Sequence, residues 1–119
     1  MTRQYTLFIQ DILDAIKDIE EFIGDMDFNT FLDDDKTKSA VVWKINVIGE
    51  ATKNIPQTIR EKYKDVPWKY MARIRDKIAH FYFGVDYEIV WEVLKTRLPE
   101  IKLLIEQILE DLGNKEGLT

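Results

Sequence analysis

Arginine, histidine and tyrosine fall close together in one stretch, Arg75-Asp76-Lys77-Ile78-Ala79-His80-Phe81-Tyr82. His80 is the only histidine in 119 residues, and there is no cysteine. Imidazole alone among side chains titrates near neutral pH without help from its surroundings, so acid–base chemistry in this chain would begin with His80. Arg75 presents a planar fork of N–H donors that matches phosphate oxygens. Asp76 stands four residues before His80, where it could orient the imidazole or hold it protonated.

The stretch must be positioned by the element that carries it, and local signals predict a helix. Pro67 suits a first helical turn, because proline lacks only a donor that would be unpaired there. Apolar residues recur at Trp68, Met71, Ala72, Ile74, Ile78 and Ala79, and Gly84 suits a C′ position. At ~100° per residue, Arg75 and Tyr82 lie ~20° apart on such a helix, whereas Arg75 and His80 lie ~140° apart. Arg75 and His80 would meet only through the long Arg side chain, a distorted last turn or a second subunit. Spacing also allows plainer roles. A histidine near a helix C-terminus is a favourable cation at the negative end of the dipole, and Phe81-Tyr82-Phe83 reads equally as core.

A wider pattern surrounds the stretch. Pro67-Trp68 precedes it. Phe83-Gly84-Val85-Asp86, Ile89-Val90-Trp91-Glu92-Val93 and Leu98-Pro99-Glu100-Ile101 follow. Together with Arg75, Asp76, His80 and Tyr82 this resembles the HepT family, small toxins of the HEPN superfamily. The resemblance spans nearly the whole chain and is densest from Pro67 to Leu104. Asp76 departs from it, standing where the family often has asparagine and adding negative charge beside the expected phosphate site.

Length and composition fit one domain, expected over residues 1–113 with a frayed tail at 114–119. At 45% hydrophobic and 33% charged residues the chain can form a core. No run approaches the ~20 apolar residues of a membrane span. Gln4, Gln10 and Asp11 replace the apolar block of a signal peptide. With no cysteine, these features give a cytoplasmic expectation with no membrane partner. The net charge of −5 argues against a nucleic-acid-coated surface, but residues 60–80 carry +4. That window can attract phosphate or simply solvate a helix face. Lys69, Arg73 and Lys77 are its candidate RNA-binding residues.

The remaining helices follow from periodicity. Ile9, Ile12, Leu13, Ile16, Ile19 and Ile23 predict a first helix ending at Gly24. Asp27 is placed to cap a short turn. Asp33-Asp34-Asp35 reads as a helix start rather than a metal site, since carboxylates there cap free N–H groups. The second long helix is expected from Lys36 to Ile55, buried through Val41, Val42, Ile45, Ile48 and Ile55, with Gly49 permitting a close crossing and Pro56 a break. Asp86 is placed to cap a helix through about Arg97. Pro99 then restarts or kinks it, and an apolar face continues to Gly113. The fold expected is an all-α, up-and-down bundle of four or five helices.

There is no Gly-rich phosphate loop, no Ser-nucleophile elbow and no His-x3-His pair. No cofactor or metal is expected. The resemblance implies a HEPN-like symmetric homodimer with a composite cleft and a toxin that cleaves RNA without metal. Attack by the 2′-hydroxyl needs a base and an acid, which two copies of His80 would supply, with Arg75 stabilising the phosphorane and Asp76 supporting. It also implies a minimal nucleotidyltransferase antitoxin (MntA-like) that transfers AMP to Tyr82. DNA is not an expected substrate. The other reading open at this point is a non-catalytic helical partner of a nucleotidyltransferase that binds RNA or nucleotide; a third is a structural bundle that only dimerises.

Overall fold

The first predicted apolar stripe is buried along its length: Ile9, Ile12, Leu13, Ile16, Ile19 and Ile23 all lie in the core. They belong to α1 (Thr2–Ile23) of the computed structural model, which describes residues 2–80 and 84–117. Gly24, at φ 54°, ends the helix in the left-handed region that glycine enters without a Cβ penalty.

Two aspartates start the next helices. Asp27 accepts the Thr30 N–H (2.8 Å) at the head of α2 (Phe28–Asp33), and Asp34 accepts the Thr37 N–H (2.9 Å) at the head of α3 (Asp35–Lys53). Those N–H groups hold both carboxyls below the usual carboxylate range, because they favour the charged form. The aspartate run is therefore a cap, as its position suggests.

α1 and α3 pack antiparallel, with Lys44 Nζ 2.8 Å from an Asp18 carboxylate oxygen. At the end of α3, Arg60 donates to the carbonyls of Thr52 (2.7 Å) and Ile55 (3.1 Å). The guanidinium thus closes the end of α3: the Thr52 carbonyl, which also accepts the Ile55 N–H (3.0 Å), has no N–H four residues on, where Pro56 stands. Pro56 breaks the chain there as expected, and α4 (Gln57–Lys62) follows.

Tyr63 then ties this end to the last helix through a hydrogen bond from its hydroxyl to Asp111. Burial first, and that hydrogen bond second, push the Tyr63 hydroxyl up to about 12. The folded state keeps this proton more firmly than the unfolded chain. The associated stability is present below the ordinary value of 10.0 and is lost as pH rises toward about 12. Tyr63→Phe should cost about 1 kcal/mol near neutrality and flatten the decline of Tm across that alkaline window. Tyr70, also raised by burial, retains part of it. Melting curves at stepped pH read both effects.

The last rod runs through α7 (Tyr87–Glu92), a π-helical turn (Val93–Arg97) and α8 (Leu98–Gly117). Asp86 caps α7 by accepting the N–H groups of Glu88 and Ile89. Pro99 does not stop the rod. It has no N–H, and its ring crowds the carbonyl four residues back. The preceding turn widens instead, so that the Leu98 N–H reaches the Val93 carbonyl, five residues back. α8 continues past Gly113, beyond its expected end. Lys102 meets Glu20 at 2.9 Å, and Leu98 and Pro99 line a hollow with Ile23 and Gly24, so α8 runs antiparallel to α1.

The architecture is mostly helical, in keeping with the all-α expectation, with one short hairpin beside the helices. The short helices make the elements more numerous than a four- or five-helix bundle: eight α-helical segments among the described residues. No helix there is long and apolar enough to cross a membrane.

The segment that carries the motif departs from expectation. α5 (Trp68–Ala72) and α6 (Ile74–Ile78) are separated at Arg73, and the helix ends at Ile78. Ala79 is extended (φ −88°, ψ 140°). Strand β1 (Ala79–His80) pairs antiparallel with β2 (Gly84–Val85), Ala79 opposite Val85 and His80 opposite Gly84. The Asp86 N–H also bonds the Ile78 carbonyl at 2.8 Å. Gly84 lies at φ 81°, so its left-handed conformation serves the hairpin and not a helix C-cap.

Gly49 sets how closely this segment approaches α3. A Cβ there would sit 3.5 Å from Ile74 Cγ2, 3.5 Å from the Met71 carbonyl oxygen and 3.7 Å from that of Ala72. One methyl fits. Gly49→Ala should be neutral or stabilise by up to about 1 kcal/mol through helix propensity. Gly49→Leu should destabilise by roughly 1–3 kcal/mol and displace α5 and α6. Denaturant titration of the two variants checks the contrast.

Candidate active site

The end of the helix after Ile78 changes the geometry of the motif. Arg75 rides on α6, whose buried Ile74 and Ile78 anchor it to the core. His80 rides on the hairpin strand. The ~140° separation of a continuous helix therefore does not apply. The chain leaves the helix between the two residues, so helical spacing no longer sets their separation. The helical i, i+4 relation of Asp76 to His80 is lost for the same reason. Tyr82 lies outside the described residues.

Arg75 is exposed and lines a depression of about 430 Å³ with Ser39, Val42, Trp43, Asn46 and Tyr87. Ser39, Val42, Trp43 and Asn46 share one face of α3, at helical spacing. Tyr87, in the first turn of α7, is held from two sides: its ring meets Phe31 edge-on (6.2 Å) and the Lys38 ammonium stands 4.6 Å above it. Among the described residues, Arg75, Asp76 and Lys77 make no hydrogen bond or ion pair through their side chains. The guanidinium is thus uncommitted within the described chain.

The basic window divides. Arg60 is consumed by the end of α3. Lys69 lines a different hollow, with Gln57, Glu61, Lys64 and Pro67 among its walls. Arg73 is exposed at the break between α5 and α6, and Lys77 is exposed on α6. Lys69, Arg73 and Lys77 would form one row on an unbroken helix; the break at Arg73 interrupts it. Among the described residues no group of three metal-ligating side chains is brought together.

Sequence reasoning missed Trp43, Asn46, Ser39 and Tyr87 as neighbours of Arg75. One signal was present. Trp43 lies ~160° around the helix from both Val41 and Ile45, so it stands opposite the buried stripe.

The model of one protein family, described as ribonuclease HepT-like, matches residues 12–108. The chain belongs to the HepT-like ribonuclease family. "Probable ribonuclease HepT" of Thermococcus cleftensis is 42% identical over 108 residues, covering 91% of this chain and 98% of that protein. "Putative RNase MJ0127" of Methanocaldococcus jannaschii is 47% identical over 109 residues, covering 92% and 90%. No solved structure matches the chain. The HepT-like match contains α3, both motif helices and the hairpin, so Arg75, His80 and the residues of α3 beside Arg75 fall inside one family unit.

Proposed function

We propose that this HepT-like chain is a metal-independent endoribonuclease and the toxin of a toxin–antitoxin pair. The observation that carries the reading is an exposed Arg75 on α6, without a side-chain partner among the described residues, followed immediately by a hairpin strand that bears the chain's only histidine. In the reaction, the RNA 2′-hydroxyl attacks the adjacent phosphorus. A base takes the hydroxyl proton, and an acid returns a proton to the departing 5′-oxygen. The P–O5′ bond breaks as the P–O2′ bond forms, leaving a 2′,3′-cyclic phosphate and a free 5′-hydroxyl. Arg75 stabilises charge on the non-bridging oxygens. His80 supplies the proton transfers, and a symmetric homodimer brings two copies to one cleft. Asp76 supports the imidazole. Lys77 and Arg73 flank the phosphate path, and Lys69 contacts RNA farther along.

Control is assigned to Tyr82, through AMP transferred by a nucleotidyltransferase antitoxin. The site works in a cytoplasmic, single-domain toxin.

Assembly is the direct test of the composite cleft. Light scattering should give the mass of two chains at micromolar concentration. Wild-type chains mixed and re-equilibrated with an excess of His80→Ala chains should lose most of their cleavage of a short RNA, because a mixed dimer keeps one imidazole and lacks either the base or the acid. A monomeric mass with undiminished cleavage would remove the shared cleft.

A further inference from the structure

The three tryptophans of this chain have unequal surroundings. Trp68 is buried and donates its indole N–H to the Tyr63 carbonyl at 3.0 Å. Trp91 packs against Phe31 (5.1 Å) and Phe28 (5.9 Å). Trp43 is 63% exposed, with no ring contact among the described residues. It lies in the middle of α3, on a helix otherwise well anchored through Val41, Ile45 and Ile48. A large aromatic side chain on an anchored helix is thus left mostly in solvent, outside the core.

Two depressions meet at this residue, and both include Asn46. On one side are Arg75, Ser39, Val42 and Tyr87. On the other are Phe8, Val47 and Ala51, with Asp11 and Glu50. The cation and the hydroxyls are on the first side, and the carboxylates are on the second. A phosphate is drawn to the first and repelled from the second. An uncharged aromatic ring can lie between them, on the indole.

We propose that Trp43 is a stacking platform for a nucleobase of the RNA substrate, with the adjoining phosphate at Arg75 and the Asn46 amide at the base edge; this rests on the ribonuclease reading. The chemistry fits in three respects. Base–aromatic stacking is the common mode of single-strand recognition, because every base has a π face. The Asn amide carries both a donor and an acceptor for a base edge. The depression beside Arg75, about 430 Å³, is in the size range of small-molecule clefts. A second copy of the chain is the competing occupant of this face. The division of charge across the indole, a guanidinium on one side and the Asp11 and Glu50 carboxylates on the other, suits a nucleotide, whose phosphate and uncharged ring need different surroundings.

The test uses the His80→Ala protein, so that RNA is bound and not cut, and a fluorescein-labelled single-stranded oligoribonucleotide read by anisotropy. Adding Trp43→Ala should weaken binding on the order of tenfold, within the range set by loss of one stacked base. Trp43→Phe should restore most of it. Adenosine monophosphate should quench tryptophan fluorescence, ribose 5-phosphate should not, and the quenching should vanish in Trp43→Phe. Melting temperature and molecular mass should be unchanged, since the side chain is exposed. Binding that Trp43→Ala leaves intact overturns the platform alone. Conversion of a dimer to monomers by Trp43→Ala also overturns it and assigns the face to a second copy. Absence of any RNA binding with Trp43 present overturns the ribonuclease reading, and the platform with it.

Discussion

Removing the imidazole of His80 is expected to lower RNA cleavage by roughly 10²- to 10⁴-fold, the usual contribution of a positioned acid or base. Arg75→Ala should fall by at least a similar factor, because charge on the phosphorane oxygens is then met only by water. Arg75→Lys should recover part of the loss: it restores the charge but not the two-pronged geometry. Arg75 is exposed, so its substitution should shift stability by no more than about 0.5 kcal/mol. Equal melting temperatures with unequal cleavage would therefore locate the loss in chemistry. Saturating chelator should leave the wild-type rate unchanged. Cleavage that survives in His80→Ala, or that depends on magnesium, would remove the mechanism.

The second large effect is expected at Tyr82. Transfer of AMP to its hydroxyl should abolish cleavage, since the adduct adds bulk and a phosphodiester charge to the same short stretch of chain that carries Arg75 and His80. Arg75 would then pair with the attached phosphate, and incoming RNA would meet like charge. Co-expression with a nucleotidyltransferase antitoxin should add AMP to the peptide containing Tyr82. Intact-mass and peptide spectra would show the adduct, and Tyr82→Phe should lack it while remaining toxic in the antitoxin's presence. Tyr70 and Tyr87 are the informative controls. Tyr70 is half-buried beneath the Arg97 guanidinium (5.1 Å), and Tyr87 is clamped between Lys38 and Phe31. An adduct on either would place the acceptor elsewhere.

What could be read from the chain divides by the range of the interaction. The caps at Asp27, Asp34 and Asp86 are contacts within three residues, and each was legible from its neighbours. The buried stripe of α1 was legible because a helical period repeats across the whole element. The end of α6 was not. Apolar spacing continues through Ala79, and a glycine at positive φ serves a helix terminus or a hairpin equally well. The decision lies in pairing that sequence proximity does not reveal: His80 opposite Gly84, and the Asp86 N–H on the Ile78 carbonyl. Pro99 was likewise recognised as a disturbance, but the π turn that absorbs it depends on the rod staying packed against α1. At the site, Arg75 and His80 stood out by residue type, whereas Trp43 lies more than thirty positions away and meets Arg75 only through the approach of α3 to α6 at Gly49.

The allocation of positive charge has a consequence for ionic strength. Lys44 and Lys102 are paired with carboxylates, Lys38 and Lys95 lie over rings, Arg97 covers Tyr70, and Arg60 closes α3. Around the motif, Arg73, Arg75 and Lys77 remain exposed, and in the proposed site they would displace counterions from RNA. Single strands release about 0.7 ion per phosphate neutralised, so these three and Lys69 would give a log–log slope near −3 for each protomer engaged. A protein binding in this way would hold RNA with a modest dependence on salt, and discrimination between strands would fall to uncharged contacts that salt does not screen.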